Sequence, residues 1–199
     1  MAVDHSMELR VNYMEEFNVS MFLFINQYAG KSSILDAVLI GVAEVMPYVF
    51  MGIMLYLWFD GNIERKRSSL NAGLSVLLGM LTSYVISLFY YHSRPFVDNL
   101  GTQLVAHAPD SSFPSDHTTF IFSIAVMLVF NKSSRTIGCV LLILSFISGL
   151  SRVFVGVHFP LDILGAILVA VFSSVAVYKL QNKTRFILNY LDQKIPLKV

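Results

Sequence analysis

Charge is scarce in this chain. Lys, Arg, Asp and Glu together make up 14% of its 199 residues, against roughly 25% in a soluble domain. With 55% hydrophobic residues and a mean hydropathy of +0.65, the shortage excludes an ordinary soluble enzyme and predicts an integral membrane protein. The length suits one compact bundle and no second soluble domain. A net charge of +1 without a basic tail gives no footing for nucleic acid. The single cysteine, Cys139, rules out an internal disulfide and reads as a packing residue in an apolar run. Asp4, Glu8, Glu15 and Glu16 outnumber Arg10 at the start, so the basic region of a cleavable signal peptide is missing. Met1 to Ser6 read as a cloning remnant ahead of a start near Met7. Among six prolines, Pro47 alone falls within an apolar span, so the matched broken helices of a transporter are not seen.

What is abundant is apolar sequence in span-length runs. A bilayer core needs about 20 helical residues, and five stretches come near that: Ile34–Phe59, Ser69–Tyr91, Ser115–Asn131, Thr136–Leu150 (extending toward Val155) and Pro160–Leu180. Pro114 and Pro160 stand where helices begin, the position that tolerates a missing N–H. Ahead of them, Phe17, Met21, Phe24, Ile25 and Tyr28 recur at helical spacing while Asn18, Asn26 and Gln27 fall elsewhere. That pattern predicts an interfacial amphipathic helix over 17–29, with a short tilted sixth span as the alternative. The expected fold is therefore all-α, a polytopic membrane helix bundle of five to six transmembrane helices with an N-terminal interfacial helix. Residues 1–16 are expected to be a flexible N-terminus, 17–182 the membrane domain and 183–199 a cytoplasmic tail. Small residues recur every fourth position at Ser75, Gly79, Ser83 and Ser87 and again at Ala166, Ala170 and Ser174, which predicts close helix contacts.

Loop charges predict the orientation. Ten Lys and Arg residues (Arg65, Lys66, Arg67, Lys132, Arg135, Lys179, Lys183, Arg185, Lys194 and Lys198) fall on one side and four (Arg10, Lys31, Arg94 and Arg152) on the other. The positive-inside rule puts the first set, with the 60–68 loop and the C-terminus, in the cytoplasm. The 92–114 loop and the 151–160 connection then face outside.

Three polar patches share that outer face: Arg94-Pro95, Pro114-Ser115-Asp116-His117, and Ser151-Arg152 with His158 and Asp162. Ionisable residues at membrane depth are costly and point to function. Two arginines supply fork-shaped donors suited to phosphate oxygens. Ser115 lies at an expected helix N-terminus, where free N–H groups favour an anion. Two histidines exchange protons near neutral pH, and Asp162, four residues after His158, is placed to fix its tautomer. Together they form a phosphoryl-transfer kit without a metal.

RP, then PSDH, then SRx5Hx3D resembles the three-part signature of the type 2 phosphatidic acid phosphatase superfamily, which reads Kx6RP, PSGH and SRx5Hx3D. With the span count and motif order, the resemblance covers residues 30–182. It implies that His158 is the nucleophile forming a phosphohistidine, that Asp162 orients it, and that His117 protonates the leaving oxygen and then activates water. Arg94, Ser115 and Arg152 would hold the phosphate, with Asp116 beside them and Glu44, Ser87 and Ser151 in support. Two departures matter: the family lysine is Ser87 here, and the glycine of PSGH is Asp116. In both, and in its shortness, the chain is most like the bacitracin-resistance type of undecaprenyl pyrophosphate phosphatase. That subgroup implies a multi-pass protein of the bacterial plasma membrane. It would hydrolyse undecaprenyl diphosphate at the outer face, recycle the cell-wall lipid carrier, and need no cofactor or metal.

Several other readings are weighed beside it. A phosphatidic acid or phosphatidylglycerol phosphate phosphatase would use the same residues. A metal hydrolase would ligate through His117, His158, Asp116 and Asp162, which the two arginines oppose. A transporter or antibiotic-binding protein is the non-enzyme reading. Glu44, about 15 Å along the first span, either serves the site or is a structural carboxyl. Asp36 reads as a helix-start residue, His5 as tail, His92 and His107 as solvated loop residues, and Tyr90, Tyr91 and Phe96 as an aromatic belt. Lipid partners are implied; the oligomeric state is not.

Overall fold

A computed structural model describes the backbone of residues 5–194 and the side chains of 13–181. Within them the chain folds as six helices: α1 (His5–Asn26), α2 (Ser33–Phe59), α3 (Ile63–Phe89), α4 (Asp116–Phe130), α5 (Arg135–Phe154) and α6 (Pro160–Lys194). No strand occurs among the described residues. The all-helical polytopic bundle expected from the sequence is the architecture observed. Ser33–Phe59, Ile63–Phe89, Arg135–Phe154 and Pro160–Gln181 are long and apolar enough to cross a membrane. The fifth apolar helix, α4, has 15 residues and is about 22 Å long at 1.5 Å per residue, shorter than a ~30 Å hydrocarbon core.

Local chemistry sets most helix starts. Ser32 caps α2 by accepting from the Leu35 N–H at 3.4 Å, and Asp36 joins that cap by accepting from the Gly30 N–H at 3.1 Å. Asn62 Oδ1 accepts from Glu64 and Arg65 N–H, so α3 begins at Ile63 rather than near Ser69. Arg65, Lys66 and Arg67, read as loop, are therefore helical. Ser115 caps α4, and Pro160 opens α6.

The short helix lies in the middle. α4 packs against α2, α3, α5 and α6, and Ile121, Phe122, Ile124, Ala125, Met127 and Leu128 build a core with Phe50, Leu57, Ala72, Leu141, Ala170 and Val177. Lipid is as apolar as these side chains, so close packing and interhelical hydrogen bonds hold the bundle. The small-residue stripes meet here: Ser75 Oγ lies 2.8 Å from Ser174 Oγ, and Ser83 Oγ lies 3.2 Å from Thr119 Oγ1. A Cβ on Gly79 would stand 2.9 Å from Ser123 Oγ and 3.1 Å from Thr119 Cγ2, so glycine sets the α3–α4 approach.

α1 extends the sequence reading. It begins at His5, inside the stretch expected to be flexible. Its apolar stripe is outward, as an interfacial helix requires, but its polar side meets protein rather than water. Phe17, Met21, Phe24 and Tyr28 point outward, while Asn18 and Asn26 are buried. Asn26 donates to the Thr102 carbonyl at 2.9 Å and the Phe154 carbonyl at 2.7 Å, and accepts from Thr102 N–H at 2.6 Å. Asn18 accepts from Leu161 N–H at 3.0 Å. Those polar groups clamp α1 to the connection between α5 and α6. The helical part of the C-terminal segment likewise runs beyond Leu180, to Lys194.

Candidate active site

Three chain segments converge at one end of the bundle: the 90–115 connection, the N-terminus of α4, and the turn from α5 into α6. Backbone bonds stitch them together. Leu104 N–H donates to Val155 O at 2.9 Å, Ser112 N–H to His92 O at 2.8 Å, and Ser115 N–H to Asp162 O at 3.2 Å. Gly156 turns the chain with φ +84°, and a Cβ there would collide with the Thr102 carbonyl.

His158 is buried at the centre, 1% exposed. Its Nε2 lies 3.2 Å from Arg94 Nη1. A guanidinium can only donate, so Nε2 is the acceptor and the proton sits on Nδ1. Nδ1 stands 3.4 Å from Asp162 Oδ2, near enough for its charge to act but not aligned for a hydrogen bond. Burial pushes the imidazole down to about 4, helped by the Arg94 and Arg152 charges and opposed by Asp162. The ring is thus neutral at physiological pH with its Nε2 lone pair unprotonated. The carboxylate reaches it through a capping turn rather than a continuous helix, since His158 and Phe159 precede α6. Asp162 Oδ2 accepts from Phe159 N–H at 2.7 Å, and Asp162 is fully buried.

The two arginines differ. Arg94 is held on all sides, donating to Val157 O at 2.9 Å, Asp110 Oδ1 at 2.9 Å and Ser111 O at 3.3 Å. Arg152, 3% exposed, leaves Nε and Nη2 without any hydrogen-bond partner. A buried cation with open donors needs an anion. Glu44 on α2 is exposed and close enough for its charge to act on Arg152. His117, in the first turn of α4, lies within the fields of Arg152, His158, His107 and Arg94.

Other expected residues are placed differently. Ser115 is buried, but its hydroxyl turns back to accept from Thr118 N–H at 3.4 Å. Asp116 is exposed and interacts electrostatically with Arg94 and Asp110; its carboxylate opposes a phosphate rather than holding one. Ser87 and Ser151 spend their hydroxyls on the carbonyls of Tyr84 and Ile147, both at 2.8 Å. Neither is offered to the arginines.

His92 and His107 are not solvated loop residues. The His107 ring meets that of His158 edge-on with centroids 6.2 Å apart, and burial lowers its pKa, as do both arginines. His92 packs between Tyr90 and Phe159 and lies 3.3 Å from Asp162 Oδ1. Asp110, absent from the sequence reading, pairs with Arg94. No motif marked Asp110 or His92, though each lies within a few residues of the RP or PSDH patch. Among the described residues, no group of three or more His, Cys, Asp or Glu side chains is arranged to hold a metal ion.

A membrane helix bundle that gathers a buried His–Asp pair, a second histidine and two guanidinium groups at one rim is a polytopic protein with a site built for an anion. The chain belongs to the PAP2 superfamily, whose family model matches residues 68–186. It is 36% identical over 154 residues to the undecaprenyl-diphosphatase BcrC of Bacillus subtilis (strain 168), covering 77% of this chain and 79% of that protein. It is 31% identical over 155 residues to the putative undecaprenyl-diphosphatase YbjG of Escherichia coli (strain K12), covering 78% of each. The crystal structure of Aquifex aeolicus LpxE superposes with a TM-score of 0.70 at 26% identity, covering 82% of this chain and 95% of that one.

Proposed function

We propose that the protein is an undecaprenyl-diphosphate phosphatase of the bacterial plasma membrane, releasing the terminal phosphate at the outer face. The observation that carries the reading is Arg152. Its buried donors carry no hydrogen bond, and its charge acts on a neutral histidine whose Nε2 lone pair is unprotonated and held by Arg94 alone. The similarity to two undecaprenyl-diphosphatases supplies the substrate class, an isoprenoid lipid diphosphate whose tail stays in the bilayer.

The chemistry is two in-line displacements. His158 Nε2 attacks the terminal phosphorus while the bridging P–O bond breaks, and its electron pair leaves on the lipid phosphate oxygen, which takes a proton from His117, made cationic when the diphosphate's negative charge offsets the Arg152 and Arg94 fields on it. The product is an Nε2-phosphohistidine that keeps its Nδ1 proton, so the ring is cationic beside Asp162. His117, now neutral, takes a proton from water. The resulting hydroxide attacks phosphorus, the P–N bond breaks, and His158 returns neutral. Arg152 and Arg94 offset charge on the equatorial oxygens, and Arg94 gives up its contact with Nε2 as the phosphate arrives. No step requires a metal. Recycling of the cell-wall lipid carrier and bacitracin resistance follow from such an activity.

The test is phosphate release from undecaprenyl diphosphate in mixed micelles, with and without EDTA, and against phosphatidic acid and phosphatidylglycerol phosphate. Activity should survive EDTA and favour the isoprenoid tail. His158→Ala, folded by its thermal transition, should lose at least about a thousandfold in kcat. Retained turnover in that purified variant ends the nucleophile assignment.

A further inference from the structure

We propose that His92 is a positioning residue for the reaction: it holds the second oxygen of Asp162, so that the first is presented to His158. This rests on the reading of His158 as nucleophile.

The geometry is specific. Asp162 has two oxygens and no solvent. Oδ2 takes Phe159 N–H and faces His158 Nδ1, while Oδ1 faces His92 Nδ1 at 3.3 Å. Which proton lies between them follows from Ser112. Its hydroxyl donates to the Ser93 carbonyl at 3.1 Å, so it can only accept from His92 Nδ1, 2.8 Å away. His92 Nδ1 therefore carries a proton, pointing into the space shared by Ser112 Oγ and Asp162 Oδ1. The other ring nitrogen, Nε2, lies 3.5 Å from Glu15 Oε2 on α1. Asp162 and Glu15 are the charged groups facing this ring, with the Tyr90 phenol stacked on one side. The bond to Asp162 is the largest cause raising the His92 pKa, the sign expected of a donor to a buried carboxylate.

The ring is also locked in place. Tyr90 stacks on it at 10° and Phe159 meets it at 57°, with centroids 6.1 and 5.2 Å away. His92 N–H and C=O pair with Ser111 Oγ and Ser112 N–H. Asp162 Oδ1 has no fully formed hydrogen bond, and the His92 Nδ1–H facing it at 3.3 Å is what holds it by charge; without that ring, a buried carboxylate with one free oxygen is able to rotate away from His158. The consequence falls on chemistry rather than binding: Asp162 stabilises the imidazolium that exists only once the P–N bond forms.

Three comparisons test this. His92→Phe keeps a ring between Tyr90 and Phe159 and removes the donor. His92→Asn puts an amide N–H near the Nδ1 position. We expect His92→Phe to lower kcat about 10- to 100-fold with KM changed less than about twofold, and His92→Asn to recover most of the loss. In an Asp162→Asn background, His92→Phe should cost nothing further, because the two act as one unit. Unchanged kcat in His92→Phe overturns the inference, as do His92→Asn being as slow as His92→Phe or additive losses in the double variant. If His92→Phe does not accumulate folded, His92→Ala against His92→Asn makes the same comparison. Phosphoenzyme trapped by an alkaline denaturing quench, which preserves the acid-labile P–N bond, separates the two levels. Wild type lacking label on His158 sinks the nucleophile reading, whereas labelled wild type with a null His92 effect sinks this inference alone.

Discussion

Asp162, fully buried, answers to two imidazoles and a backbone amide, and His158 answers to Asp162 on one side and Arg94 on the other. At this scale the site is a protonation problem. The His158 pKa lies at about 4, mainly through burial, whereas an unfolded histidine titrates near 6.5. The unfolded chain therefore takes up the proton first as pH falls. Stability is full above pH 6.5 and is lost between 6.5 and 4, by on the order of 3 kcal/mol at most. The thermal midpoint of detergent-solubilised protein should drop over that window, and more shallowly in His158→Gln. Equal slopes in the two proteins would show that His158 is not the residue responsible. The motif residues were readable as chemistry because each type is costly at membrane depth. His92 and Asp110 were not, since a loop histidine and a loop aspartate are ordinary until the loop folds back onto Asp162 and Arg94.

Among the elements, α1 carries the sharpest lesson. Periodicity separates its apolar stripe from its asparagines, but cannot say that the polar side meets protein rather than water. In water the apolar stripe would turn inward. Beside a bilayer the polar side turns inward instead, because backbone groups at Thr102 and Phe154 need partners that lipid cannot provide. Asn26→Leu should therefore cost about 2–4 kcal/mol, leaving those groups and the Thr102 N–H unpaired, while Phe24→Leu on the outward face should cost far less. Thermal unfolding of both variants in one detergent distinguishes them; equal losses would mean that α1 is held by its apolar side. The starts of α4 and α6 were legible from Ser115 and Pro160, and that of α2 from Asp36. That of α3 was not, because the basic run 65–67 reads as a loop while Asn62 starts the helix ahead of it.

For the molecule as a whole, the proposed orientation puts the His158 rim outside and the Lys132 turn in the cytoplasm. With Cys139 replaced by Ser, a cysteine at exposed Asp110 should react with an impermeant maleimide in intact cells, and one at Lys132 should react only after permeabilisation. The reverse pattern would overturn the orientation and the outer-face reaction with it. By itself the sequence determined that this is a membrane bundle, where its spans lie, and which residue types could move a phosphoryl group. Those follow from local composition and spacing, which hydropathy and helix geometry translate directly. Only the tertiary structure decided that Arg152 keeps open donors while Arg94 is fully engaged. It also decided that Ser87 and Ser151 turn their hydroxyls to their own helices, and that Asp162 is shared between His158 and His92. Those outcomes depend on which buried groups meet across segments far apart in the chain, and the cost of leaving a buried polar group unpaired selects among them only once the helices have packed.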